Sequence, residues 1–261
     1  MSHYSLVCCI ITSNVNLPGE LMKIITLQEV ESTNSYAKEN ISVIADKTAV
    51  HALRQTCGRG RLNRSWIDLG DENLFVSIVL KPSNTFNEIY PNLTQYLSVA
   101  LCKVLETYGL KPQIKWPNDV LINGKKIAGI LSETVMQGKN LQGIVIGIGV
   151  NLNSDAHKLK SIPDKIATSL NLETGKSIKS EVFLNELLTE FFANYDEFLN
   201  NGFTFIKDAY INRNCFLNKE LSVQIFNNIQ TGYAKEVNNN GELILQTEDN
   251  KEFVLTIGDI L

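Results

Sequence analysis

Cysteine and histidine are scarce in this 261-residue chain, and an excess of positive charge is missing altogether. Its five cysteines (Cys8, Cys9, Cys57, Cys102, Cys215) are odd in number and show no paired metal spacing, so neither a disulfide framework nor a metal site is indicated. Reduced thiols of a cytoplasmic protein fit them better. The three histidines, His3, His51 and His157, form no motif. No histidine lies near Cys57 in sequence, so a thiol–imidazole nucleophile is not indicated, and His51 sits in an apolar strand-like run as a packed or edge residue rather than a catalyst. The net charge of −4 argues against a general nucleic-acid binder, because such proteins gather Lys and Arg over a whole face. No apolar run approaches the ~18 residues needed to cross a bilayer. Leu6–Ile11 is too short for that and lacks the basic flank of a secretory signal.

What remains is the composition of a soluble globular protein, 44% apolar and 20% charged. Six of its 24 basic residues fall in two short runs. The first, Gly58-Arg59-Gly60-Arg61-Leu62-Asn63-Arg64-Ser65-Trp66, alternates glycine, which lets backbone N–H groups approach a ligand, with arginine, whose planar fork grips carboxylate or phosphate. Alone, it could equally be a solvated loop. The second is Lys115-Trp116-Pro117-Asn118-Asp119, continuing to Lys125-Lys126-Ile127-Ala128-Gly129. Together they describe a site for anions.

Asn123-Gly124 between Val120-Leu121-Ile122 and Lys125-Lys126-Ile127 signals a hairpin with a two-residue turn. Such a turn pairs Ile122 with Lys125, Leu121 with Lys126, Val120 with Ile127 and Asp119 with Ala128. Asp119, Leu121 and Lys126 then share one face, with Asp119 and Lys126 diagonal neighbours at roughly 7–8 Å between backbones. The bland alternative is a cross-strand ion pair worth about 0–1 kcal/mol.

Further along, Lys23–Gln28, Thr48–Arg54 and the continuous apolar run Leu74–Leu80 read as strands, and Ser32-Thr33-Asn34 supplies N-cap residues for a short helix through Lys38. Helical periodicity marks 87–108, through Leu93, Leu97, Leu101 and Leu105, and also 182–199. Gln113–Trp116 and Ile144–Val150 are further strands. Gly147-Ile148-Gly149 resembles a dinucleotide fingerprint but lacks its third glycine and following helix. From about residue 213, short strands at 221–226, 232–237, 243–246 and 252–257 suggest a small β-barrel. The predicted organisation is a leader or extension of uncertain status over 1–22, a catalytic domain over 23–212 and the barrel over 213–261.

In order and spacing, these motifs resemble the biotin protein ligase family over roughly residues 23–261. The residues that carry the likeness are Ser32-Thr33-Asn34, Gln55, the Gly58–Trp66 run, Lys115–Asp119, Lys126–Gly129 and Gly147–Asn151. The resemblance implies an α+β fold, a mixed β-sheet catalytic domain with packed helices of the class II synthetase-like biotin/lipoate ligase type, plus a C-terminal SH3-like barrel. It implies that biotin and ATP react to biotinyl-5′-adenylate and pyrophosphate, and that a lysine of a biotin carboxyl carrier domain then takes the acyl group.

By the same resemblance, Ser32, Thr33, Asn34, Gln55, Gly58, Arg59, Gly60, Arg61, Lys126 and Gly129 would bind biotin. Arg61, Arg64, Trp66, Lys115, Asn118 and Asn151 would serve ATP, with Mg²⁺ arriving on the triphosphate. Lys126, Asp119 and Arg61 would be catalytic. Arg59, Arg61, Arg64, Lys115 and Lys126 would offset the repulsion between a carboxylate and a triphosphate. No protein metal site, DNA or membrane is implied, and a monomer or homodimer is expected.

The chain departs from the family at Leu62-Asn63, where many members have a further Arg-Gly. Only 31 residues precede Ser32, too few for a helix-turn-helix domain, so a DNA-binding regulator is disfavoured. A lipoate–protein ligase is the sister alternative; the polar set Ser32, Thr33 and Gln55 suits a ureido ring better than a dithiolane. The Gly58–Arg64 loop is expected to be mobile without ligand, its arginines lacking an anion to gather round.

Overall fold

Strand-forming runs dominate the first 150 residues, and they assemble into one sheet. The computed structural model, which describes residues 10–17, 20–70, 73–162 and 166–261, contains β1 (Ile10–Leu17), β2 (Glu20–Val30), β3 (Thr48–Gln55), β4 (Gly58–Arg59), β5 (Ser65–Trp66), β6 (Leu74–Leu80), β7 (Pro112–Lys115), β8 (Asp119–Ile122), β9 (Lys125–Gln137) and β10 (Asn140–Val150). Eight of these are ordered β1-β2-β3-β6-β10-β9-β8-β7, while β4 and β5 form a separate two-stranded ribbon. β2 and β3 run parallel, and the remaining neighbours are antiparallel.

β6 is buried at every position, as a continuous apolar run requires when both faces of a sheet are covered. On one face lies the short helix α1 (Thr33–Glu39), whose Ala37 packs with Ile41 and Ile44 against Leu27, Val50, Ala52, Val79 and Val145. On the other lie α2 (Leu93–Thr107) and, beyond two short helices α3 (Ala156–Lys160) and α4 (Leu170–Thr174), the helices α5 (Ser180–Ala193), α6 (Tyr195–Asn201) and α7 (Phe203–Ile211). Leu97, Leu101, Phe183, Leu187 and Phe191 join Val76, Ile78 and Ile146 in this larger core.

The single helix expected over 182–199 is broken at Asn194, whose φ of −134° ends α5. The break lets Phe191, from one segment, and Phe198, from the next, both pack on Tyr96, with ring centroids 5.1 and 4.5 Å away. The helix expected over 87–108 is confined to α2, after a 3₁₀ turn at Tyr90–Asn92. Of the segment left undefined at the start of the chain, residues 1–9 lie outside the described residues, while Ile10–Leu17 pair with β2.

The last 50 residues form β11 (Glu220–Ile225), β12 (Asn228–Val237), β13 (Leu243–Gln246), β14 (Glu252–Leu255) and β15 (Asp259–Ile260), in the sheet order β14-β13-β12-β11-β15. β14 and β15 occupy opposite edges yet are joined by three residues. Such a link reaches at most ~14 Å, less than the ~19 Å that four inter-strand steps would need in a flat sheet. The sheet is therefore curled so that its edges approach. Its interior, including Val223, Ala234, Leu243 and Leu245, is continuous with the larger core. Trp116 Nε1 and Gln95 Nε2 both donate to Gly241 O, at 3.2 and 2.8 Å, tying the two units together.

Candidate active site

Three glycines make a floor on the α1 face of the sheet. Gly147 and Gly149 of β10 lie opposite Ser77 and Phe75 of β6, and Gly149 also lies opposite Gly129 of β9. A methyl group at Gly147 would overlap Asn34 Oδ1, and one at Gly149 would overlap the Trp66 indole. The Gly-Ile-Gly run thus lets a side chain from α1 and one from β5 lie flat on the strand; it is not a dinucleotide turn.

At the closed end, Ser32 caps α1, its Oγ accepting from Ser35 N–H at 3.4 Å. Thr33 N–H donates to Gln55 Oε1 at 2.8 Å, which leaves the Nε2 donors of Gln55 for the cavity. Asn34 Nδ2 donates to Leu131 O at 3.2 Å and to Glu133 Oε2 at 2.9 Å. Its Oδ1 accepts from Ser77 Oγ at 2.6 Å, so both amide protons are already engaged within the protein. Burial alone would raise the Glu133 carboxyl, but hydrogen bonds from Lys38 and Asn34 outweigh it and hold the group below the usual glutamate range.

At the open end, Lys126 Nζ donates to Asp119 Oδ1 at 2.6 Å. The shared face expected from the Asn-Gly hairpin is present, but the register is not the one expected. Leu121 pairs with Lys126 as predicted, whereas Asp119 pairs with Gly129 and Val120 with Ala128, because a bulge adds one residue at Ile127. The Lys126 backbone bonds outward instead, its N–H to Ile166 O and its O from Thr168 N–H, both at 2.9 Å. Ile127 and Ala128 are then both buried, and the Lys126 ammonium is swung over the Trp66 ring, 5.6 Å from its centroid.

The arginines do not lack anions. Arg59 meets Glu133 Oε1 at 3.2 Å, and Arg64 meets Asp259 Oδ2 at 2.9 Å. Arg61 donates to Asp259 Oδ1 and Asn118 Oδ1 at 3.0 Å and to Gly258 O at 3.1 Å. Burial pushes the Arg61 guanidinium down, while Asp259 and Asp119 act against that shift. Between Arg61 and Arg64, Leu62 stands at φ +52°, a left-handed conformation that costs a branched residue about 1–2 kcal/mol.

Ser32, Thr33, Asn34, Gln55, Arg59, Gly60, Arg61, Arg64, Trp66, Asn118, Asp119, Lys126 and Gly129 all line one cavity of about 60 Å³. Arg64, Asn118, Asp119 and Lys126 also border an adjoining cleft of about 650 Å³, where Lys115 lies. Two predicted residues fall elsewhere. Gly58 sits in the β4–β5 ribbon facing Trp66, where a side chain would strike the Trp66 carbonyl, so its glycine serves the ribbon. Asn151 turns its Nδ2 to Thr168 O at 3.0 Å and borders only a small hollow beneath Trp66.

Asp259, Glu133 and Ser77 were not singled out from the sequence. Nothing near Asp259 hints at a partner some 200 positions earlier. The other two carried a signal: Glu133 continues the alternation Gly129, Leu131, Glu133 along β9, and Ser77 is the one polar residue of β6.

A mixed sheet with a cation-rich, glycine-floored cavity at the junction with a small curled β-unit is the architecture of an acid-activating ligase. Residues 26–151 match the Biotin/lipoate A/B protein ligase family. The chain is 32% identical over 220 residues to the Bacillus subtilis bifunctional ligase/repressor BirA, covering 84% of this chain and 65% of that protein. It is 30% identical over 239 residues to the Paracoccus denitrificans biotin–[acetyl-CoA-carboxylase] ligase, covering 87% and 96%. Among solved structures, the Aquifex aeolicus biotin protein ligase in complex with biotin and ATP superposes with a TM-score of 0.76 at 28% identity, over 91% of this chain and 97% of that one. This chain belongs to the biotin/lipoate protein ligase family, on its biotin protein ligase branch.

Proposed function

We propose that this protein is a biotin protein ligase. It activates biotin with ATP to biotinyl-5′-adenylate and transfers the acyl group to a lysine of a biotin carboxyl carrier domain in a carboxylase. The observation that carries this reading is the junction of cavity and cleft. Arg64, Asn118, Asp119 and Lys126 line both spaces, so an acid in one and a triphosphate in the other meet at the same cations.

A carboxylate oxygen of biotin attacks the α-phosphorus of ATP, the new C–O–P linkage forms, and the bond to the β-phosphate breaks as pyrophosphate leaves. Lys126, held by Asp119, is placed to bind that carboxylate and afterwards to polarise the acyl carbonyl. Arg61 and Arg64 offset phosphate charge as it develops. In the second step the carrier amine attacks the acyl carbon and AMP departs with the electron pair. Asp119 orients the incoming amine and takes its proton.

Ser32, Thr33 and Gln55 bind the ureido ring at the closed end. The present cavity is far below the ~300 Å³ at which small-molecule pockets begin, and the Trp66 indole covers the Gly129–Gly149 floor. Trp66 therefore swings away as substrates enter. Lys115 and Asn118 serve the nucleotide.

Among the described residues no three acidic or metal-ligating side chains cluster. Asp119 and Asp259 border the cleft, but each is held by a cation. The donor set suits Mg²⁺ only as an ion carried on the triphosphate, with phosphate oxygens and water completing its shell. No helix among the described residues is long and apolar enough to cross a membrane. A cytoplasmic enzyme acting as a monomer or homodimer is consistent with this.

The test is transfer. Purified protein incubated with biotin, Mg-ATP and an isolated carrier domain should add one biotin, read by intact mass, and lipoate should not substitute. Addition of lipoate instead of biotin would move the chain to the sister branch.

A further inference from the structure

Among the described residues, six that are not glycine take positive φ, and three of these are asparagine, which tolerates the left-handed region better than most. The two apolar ones are Leu62 and Phe226, at φ +52° and +51°. Both are exposed, Phe226 by 65%, so neither is held there by packing in the core. Both also flank one contact. Leu62 follows Arg61, whose guanidinium donates to Gly258 O and Asp259 Oδ1. Phe226 opens the two-residue turn between β11 and β12, a position where glycine or asparagine is the ordinary choice. Its carbonyl accepts from Gln224 Nε2 at 2.7 Å, and Gln224 pairs with Asp259. Two residues of extended strand and one inter-strand step put Phe226 roughly 8 Å from the Asp259 backbone. Ile229, 59% exposed, lies abreast of Gln224 and Asp259, about 10 Å from the latter. The exposed Ile257 directly precedes Gly258.

We propose that Phe226, Ile229 and Ile257, with Leu62 across the Arg61–Asp259 contact, form a ledge on which the carrier domain docks while its lysine enters the cleft. This rests on the reading of the protein as a biotin protein ligase and names the surface that reads its macromolecular substrate. The reaction itself selects the occupant. The acyl carbon is activated beside Lys126 and Asp119, where cavity and cleft join, and Asp259 borders both spaces. A lysine that reaches it must come from a body resting on the rim, and this ledge is an apolar stretch of that rim. A second copy of the chain seated here would stand between the carrier and the cleft. Folding offers no reason for a bulky apolar side chain in an exposed left-handed turn, whereas exposed apolar anchors are what a protein partner covers. The partner surface that fits is apolar and lies beside the acceptor lysine.

The experiment compares wild type with Phe226→Asn in three reactions: biotin-dependent ATP–pyrophosphate exchange, capture of the activated acyl group by hydroxylamine, and transfer to an isolated carrier domain. Hydroxylamine is too small to touch the ledge, so a change confined to the carrier reports docking. The variant should raise KM for the carrier about tenfold. Exchange, hydroxylamine capture and kcat at saturating carrier should stay within about twofold, and the melting temperature should hold or rise, since asparagine suits the turn. Ile229→Thr, which leaves the turn intact, should raise the same KM about threefold. An unchanged KM in both variants, or an equal loss with hydroxylamine, would overturn the ledge while leaving the biotin reading intact. So would wild-type dimers in sedimentation that Phe226→Asn dissolves, because they would give the surface to a second copy. Wild type without biotin-dependent exchange would overturn both.

Discussion

Asp119 and Lys126 stand in contact, Oδ1 to Nζ 2.6 Å, although the bulge at Ile127 takes them out of the register that their hairpin turn would impose. The bulge adds a residue between the two strands without breaking the pair. It also gives the Lys126 backbone a second set of partners at Ile166 and Thr168. The ammonium is thus held from the backbone, by Asp119 and over the Trp66 ring, which is the preorganisation that a group stabilising developing charge requires.

Replacing Lys126 by Met keeps most of the side-chain volume and removes the charge. kcat/KM for adenylate formation should fall by about 10²–10³, with little change in the urea midpoint. A loss below tenfold in single-turnover assays would show that the carboxylate is held elsewhere.

Gly149→Ala places a methyl group inside the Trp66 indole, so the ring must leave the floor. The chain has two tryptophans, and Trp116 is buried and bonded to Gly241, so an intrinsic-fluorescence change on substitution reports Trp66. The variant should fluoresce at longer wavelength without ligand, as the displaced indole meets water. An unchanged spectrum would contradict the placement of Trp66.

Asp259→Ala removes the carboxylate that gathers Arg61 and Arg64. Tryptic cleavage at Arg59–Arg64 without ligand should then speed up roughly tenfold, since local opening no longer breaks these pairs. Biotin with Mg-ATP should restore protection. Equal cleavage of variant and wild type would mean that the loop is held by other contacts.

His51 is fully buried and its ring nitrogens have no partner among the described residues, and burial lowers its pKa from 6.5 to about 4, with Glu181 acting the other way. Because the folded value lies below the unfolded one, protonation favours the unfolded chain. The penalty is absent above about pH 6.5, grows as pH falls towards 4 and then saturates at about 3 kcal/mol. Urea midpoints measured from pH 7.5 to 4.5 should fall more steeply for wild type than for His51→Leu. Parallel profiles would contradict the burial of a neutral imidazole.

Where local pattern and burial agree, the sequence is a good guide. The β6 run, the Ser32 cap and the Asn123-Gly124 turn appear where their residue types require them, since each depends on neighbours a few positions away. The bulge depends on the distant Ile166–Thr168 segment, and the break at Asn194 on Tyr96, a hundred residues earlier; no local propensity reports either. Most of the candidate site was legible because its cations and glycines sit in compact runs. Its carboxylate partners were not, because Glu133 and Asp259 reach it only through sheet register and through the docking of the C-terminal unit.

The most direct measurement is ATP–pyrophosphate exchange by the purified protein, wild type beside Lys126→Ala, with biotin, with lipoate and with neither acid. The account predicts exchange that requires biotin, is not supported by lipoate and collapses in the variant. Exchange with lipoate alone, or exchange that survives in Lys126→Ala, would contradict it.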